Sequence, residues 1–106
     1  MMTNPQRGEV PLRAEGETHV LRLSLGALAC LEAEIAPEGL LDLAERIEGG
    51  GLKMRDVISI LTAGFAGGGA PRDREAVADM AIDGGATEAT RVALMLISAA
   101  FGVDDR

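Results

Sequence analysis

The chain has 106 residues, 47% of them hydrophobic, and a formal net charge of −7. A domain of this length buries roughly two-thirds of its unfolded surface, and so apolar a composition excludes a disordered chain. Scattered basic residues and only two aromatic ones, Phe65 and Phe101, argue against nucleic-acid binding, which needs a basic patch and stacking rings.

Residues 1–8 are polar and read as a flexible N-terminus, ahead of a single domain over 9–102 and a short tail over 103–106. Glu9 to Arg13 alternates, with Val10 and Leu12 on the inner side. Pro11 lacks an N–H, so this strand belongs at a sheet edge or leaves that position unpaired. Ala14-Glu-Gly-Glu17 is a turn, with Gly16 free to take positive φ. From His19 to Leu25 the apolar residues alternate again, and from Leu25 they fall at Leu28, Leu31 and Ile35, which is helical spacing. A hairpin therefore runs directly into a first helix, Leu25 to Ala36, capped by Ser24 and stopped by Pro37.

A second helix is expected over Glu38 to Glu48, with Leu40, Leu43, Ala44 and Ile47 on one stripe and Gly49-Gly-Gly51 closing it. A third spans Lys53 to Ala66, with Met54, Val57, Ile58, Leu61 and Phe65 in register. Gly67 to Pro71 breaks the chain. A fourth helix is expected from Arg72 to the residues before Gly84-Gly85, with Val77, Met80 and Ala81 inward. The fifth runs from Thr87 to Phe101. It is apolar nearly all round, since Leu94 and Met95 lie away from its main stripe, so it is either central in the core or covered in part by another chain. The fold class is α+β, mainly α: an N-terminal two-stranded hairpin running into a compact bundle of four to five short helices.

Chemistry finds little support. His19 and Cys30 are the only residues of their kinds, and Cys30, among Ala and Leu on the first helix, reads as a small buried hydrophobe. A reactive pair also needs an orienting group and an oxyanion site, and the sequence identifies neither. Metal-ligand spacings such as C-x-x-C are missing, so no metal or cofactor is expected. Gly67-Gly-Gly-Ala-Pro-Arg-Asp-Arg74 lacks the Gly-Lys-Ser/Thr run of a phosphate loop and reads as an interhelical loop. Glu32 and Glu34 do not share a helix face and read as solvated charge. The lone cysteine fits a cytosolic compartment, the polar first residues do not make a signal peptide, and the longest uncharged run, Val92 to Val103, is too short to span a bilayer. These readings leave a non-enzymatic interaction protein whose acidity serves solubility.

The ordered segments Arg7-Gly-Glu-Val-Pro-Leu12, Leu21-Arg-Leu-Ser-Leu-Gly-Ala-Leu-Ala-Cys-Leu-Glu32, Leu40-Leu-Asp-Leu-Ala-Glu-Arg46, Gly51-Leu-Lys-Met-Arg-Asp-Val-Ile58 and Leu61-Thr-Ala-Gly64 resemble the gene transfer agent family of phage-type tail assembly chaperones. The likeness runs from about Arg7 to Phe101. It implies a protein of the bacterial cytoplasm that binds the tape-measure protein, keeps it soluble while tail-tube subunits polymerise, and is absent from the mature particle. The same family has also been labelled a tail tube protein. The alternative is accordingly a tail tube or connector component retained in the particle, assembled through the hairpin edge and able to form homo-oligomers. A small regulator or enzyme unrelated to phage is a lesser alternative. A holdase would use an apolar groove with adaptable contacts. On their excess apolar area, Met54, Ile58, Leu61 and Phe65 of the third helix and Leu94 and Met95 of the fifth are the expected partner-binding residues.

Overall fold

The computed structural model describes residues 8–36, 38–50 and 52–101. The readings placed on residues 1–7, Pro37, Gly51 and 102–106, and on the side chains of Leu40 and Ala44, lie outside the described residues. The elements are β1 (Val10–Ala14), β2 (Glu17–Leu21), α1 (Leu25–Ile35), α2 (Leu40–Glu48), α3 (Met54–Gly67), α4 (Arg74–Ala78) and α5 (Gly85–Ala100).

β1 and β2 pair antiparallel, with Leu12 opposite His19 and Ala14 opposite Glu17. Two residues close the hairpin, Glu15 at φ 53° and Gly16 at φ 78°. Both angles are left-handed, as required by the tight turn whose twist matches the strands. Val10, Leu12 and Ala14 are buried while Pro11 and Arg13 are exposed, so the alternation of the sequence sets the inner face. Beyond β2 the alternation outlives the strand. Leu21 and Leu23 are both buried, although the ladder stops at Leu21.

Ser24 accepts a hydrogen bond from the Ala27 amide at 3.1 Å and caps α1. The cap turns Leu25 outward, to 85% exposure, so the apolar stripe of α1 begins at Leu28 and not at Leu25 as its spacing suggests. α2 closes with Gly50 at φ 75°, the expected left-handed exit. In α3, the Asp56 carboxylate accepts from the Lys53 amide at 3.1 Å and ties down the first turn.

α3, and not α5, is the central helix. It packs against α1, α4, α5 and β2, and it buries Val57, Ile60, Leu61, Gly64 and Phe65. Its last turn meets the exit of β2 at very close range. The Arg22 amide donates to the Gly64 carbonyl at 3.0 Å. A Cβ on Gly67 would stand 1.9 Å from the Arg22 carbonyl oxygen, and one on Gly68 would stand 2.2 Å from that of Val20. Only glycine fits there, because the obstacle is backbone that cannot rotate away.

The expected fourth helix is a correction. Helix forms only over Arg74–Ala78. The chain then runs extended beside β1: Ile82 bridges Ala14, the Glu15 amide donates to the Ala81 carbonyl, and the Asp83 amide donates to the Arg13 carbonyl, both at 3.0 Å. Burial there alternates, with Met80 and Ile82 half-buried and Ala81 and Asp83 exposed. That is the period of a strand. Ala81, read as inward, faces out. These bonds have a further consequence. Part of the outer side of β1 is occupied by residues 81–83, and the exit of β2 is held against α3. The open hairpin edge expected for strand-by-strand assembly is therefore covered over much of its length.

Gly67→Ala is expected to destabilise the fold by at least about 2 kcal/mol, through forced backbone displacement. Gly26→Ala, in a helix where the nearest atom lies an ordinary 3.9 Å away, is expected to stabilise it by up to about 1 kcal/mol. Urea unfolding of the two variants measures both.

Candidate docking groove

The helical spacing of Met54, Ile58 and Leu61 places them on one face of α3. Met80 and Ile82 face them from the segment after α4, and Ala86 closes the far wall from the first turn of α5. Between these walls lies a groove of about 220 Å³. Pockets that enclose a small-molecule ligand run from roughly 300 Å³ upward. This groove instead has room for one or two apolar side chains offered by another protein. Met54 is 47% exposed at its mouth, and methionines at a rim adapt to varied partners.

The segment that roofs the groove is fastened by a polar cluster. Arg74 donates through Nη1 to Glu34 Oε1 of α1 at 3.0 Å and to Ser59 Oγ of α3, and through Nη2 to the Arg55 carbonyl at 3.0 Å. Ser59 Oγ in turn donates to Glu34 Oε1 at 2.6 Å. Glu34, read as solvated charge, is thus a member of a cluster joining α1, α3 and α4. The side chains of Arg74 and Glu34 are 45% and 55% exposed, so the ion pair itself contributes at most about 1 kcal/mol. Its effect is to fix position.

The structure separates the six expected contact residues. Met54, Ile58 and Leu61 share the groove, although Leu61 is only 1% exposed and forms its floor. Phe65 is also 1% exposed and belongs to the core. The His19 ring meets it edge-on at 5.3 Å, and the Arg72 guanidinium lies over it at 5.5 Å. A partner cannot reach it directly. The helical period that put Phe65 in line with Met54 carries it under the hairpin, which the pattern of one helix does not reveal. Leu94 is half-buried and Met95 is 42% exposed; neither lines the groove. Arg91 donates to Met95 Sδ at 2.7 Å and pairs with Glu88 through two bonds of 2.9 and 2.5 Å. That hydrogen bonding holds the Glu88 carboxyl below the usual carboxylate range. Met80, Ile82 and Ala86 were not expected at the site. The strand-like alternation of Met80-Ala-Ile-Asp83 is the signal that reveals the first two.

His19 meets the Phe65 ring, and Cys30, read as a buried hydrophobe, is instead exposed on α1, outside the face that buries Leu28 and Leu31. Among the described residues, no group of three His, Cys, Asp or Glu side chains could hold a metal ion. No helix among them is long and apolar enough to cross a membrane.

Phe65→Ala is expected to cost about 3–5 kcal/mol and Leu61→Ala about 2–5 kcal/mol, as core deletions. Met54→Ala at the groove mouth is expected to stay within about 1 kcal/mol. Thermal unfolding of the three variants tests the division between interior and rim.

The fold is that of a small, mainly helical α+β protein with an apolar groove beside α3. Over residues 7–103 the chain matches a family model described as phage tail tube protein, GTA-gp10. It belongs to that family, and with it to the tail proteins of phages and gene transfer agents. Comparison with curated proteins and with solved structures gave no match.

Proposed function

We propose that this protein serves phage-type tail morphogenesis as a non-enzymatic docking protein, acting in the cytoplasm of a bacterial host. The observation that carries the tail assignment is the family match across nearly the whole chain. The description of that family supports the reading in which the protein is a structural component, a tail tube or connector subunit retained in the particle. Such a subunit contacts tail-tube neighbours and copies of itself. With much of the hairpin edge covered, those contacts run through helix faces, of which Leu25 at 85% and Leu41 at 78% exposure are the most open apolar points.

One observation favours a second reading. The groove between α3, the segment after α4 and the start of α5 suits an apolar helical segment laid across it. A tail assembly chaperone would hold the tape-measure protein in this way, and the net charge of −7 would help keep such a complex soluble.

Mass spectrometry of purified particles divides the two. A stoichiometric signal is expected for the structural component. Its absence from particles, with tail formation lost when the gene is deleted, is expected for the chaperone. Normal tails in the deletion strain would overturn both. For the chaperone reading, co-expression is expected to raise the soluble fraction of the tape-measure protein. Ile58→Asp at the groove is expected to abolish that gain.

A further inference from the structure

The roof of the groove is built differently from its walls. Residues 70–83 contain one five-residue helix and bury a single side chain, Val77. A helix that short does not hold itself together, because nucleation costs more than so few bonds return. The segment is instead pinned at two points. Near its start, Arg74 reaches Glu34, Ser59 and the Arg55 carbonyl. Near its end, residues 81–83 bond to the hairpin turn through the Glu15 amide and the Arg13 carbonyl, reinforced by the exposed Arg13–Asp83 pair at 3.8 Å. Glycines with left-handed backbones flank it on both sides, Gly69 at φ 91° and Gly84 and Gly85 at φ 87° and 65°. Open space surrounds the Cβ positions of Gly69 and Gly85, whereas one on Gly84 would stand 2.7 Å from Glu88 Cβ, so the unobstructed pivots are Gly69 and Gly85.

We infer that residues 70–83 form a latched strap, hinged at Gly69 and at Gly84-Gly85, which lifts as one unit and bares the apolar faces of α3 and α5 beneath it. Lifting uncovers Val77 and the half-buried Met80 and Ile82, together with the side chains of α3 and α5 that share the groove with them, so the hydrophobic cost is confined to this one patch. Besides that patch and the Arg72 guanidinium over the Phe65 ring, what resists lifting is a set of polar contacts at the two pins, whose ionic parts lie in solvent-exposed positions that salt screens. The core below is not disturbed, because α3 and α5 pack on each other directly. The glycine-rich loop at Gly67 to Arg74 thereby acquires a role: its first glycines seat the hairpin, Gly69 is a hinge, and Arg74 is the latch. In use, the strap sets whether a tail partner meets the closed groove or the bared faces of α3 and α5. That use rests on the docking function proposed above, whereas the opening itself is a property of the free chain.

Amide hydrogen exchange followed by NMR on the full chain tests the strap without any partner. The Asp83 amide bonds to the Arg13 carbonyl across the end pin, whereas those of Val77, Asp79 and Met80 bond within the strap, whose short helix unwinds once the pins release. All four are expected to exchange through one common opening, faster than the centres of α3 and α5. Raising salt from about 0.02 to about 0.5 M is expected to accelerate all four severalfold. Arg74→Ala is expected to accelerate them about tenfold, Asp83 included, while Leu61 and Leu96 stay unchanged. Glu34→Gln, which keeps an acceptor and drops the charge, is expected to produce a smaller change in the same four amides. Acceleration of Val77 with Asp83 unmoved would overturn the single strap, since the two pins would then act separately. Equal acceleration across α3 and α5 would overturn it as well, since the latch would then support the whole fold. Either failure leaves the particle composition experiment untouched.

Discussion

The structure depends on one close approach, where the last turn of α3 lies against the backbone leaving β2. Two carbonyl oxygens, of Val20 and Arg22, occupy the space that side chains at Gly68 and Gly67 would need. A two-stranded hairpin is marginal in water by itself; here its exit is bonded to the helix through the Arg22 amide and the Gly64 carbonyl. At Gly64 three layers converge, for a Cβ there would meet Leu21 of the hairpin and Leu96 of α5 within 3.2 Å. The core of Leu12, Leu21, Leu61, Phe65 and Leu96 closes around that point. With Phe65 as the one buried aromatic, tight backbone approach does much of what bulky rings do in other small cores.

Much of this was readable in the residues. Period-two alternation located the hairpin and its inner face, Gly16 located its turn, and glycines or capping residues marked most helix ends to within two residues. What misled was the assumption that helical spacing continues wherever it can be drawn. Leu25 fits the stripe of α1 on paper, yet it is the first residue after the Ser24 cap and points to solvent. Residues 79–83 fit a helix, yet they gain backbone bonds to the hairpin turn that a helix would forgo. Those bonds join segments distant in sequence, and local propensity carries no trace of them. The groove was half readable for the same reason. Its α3 wall follows from one helix's period, whereas the opposite wall and the burial of Phe65 follow from tertiary contacts.

The surface divides by chemistry. Acidic residues outnumber basic ones, and the exposed basic residues of the glycine-rich loop have partners of their own, Arg72 over the Phe65 ring and Arg74 in its cluster with Glu34. Apolar area reaches the surface at the groove and at isolated side chains such as Leu25, Leu41 and Met95. On a member of a tail protein family, these are the apolar points that the fold leaves open.

The bonding of residues 81–83 to the hairpin turn also bears on how the chain folds. Ala81 and Glu15 lie 66 residues apart in sequence and meet through backbone and side chain. Closing so long a loop costs entropy before any contact repays it, and mainly helical chains of this size otherwise fold quickly through local contacts. Contacts local in sequence, such as those within α3, are expected to form before the join between residues 81–83 and the hairpin turn. The completed outer edge of the hairpin is therefore a late product of folding, and until it forms, the same strand is open to pairing with another nascent chain.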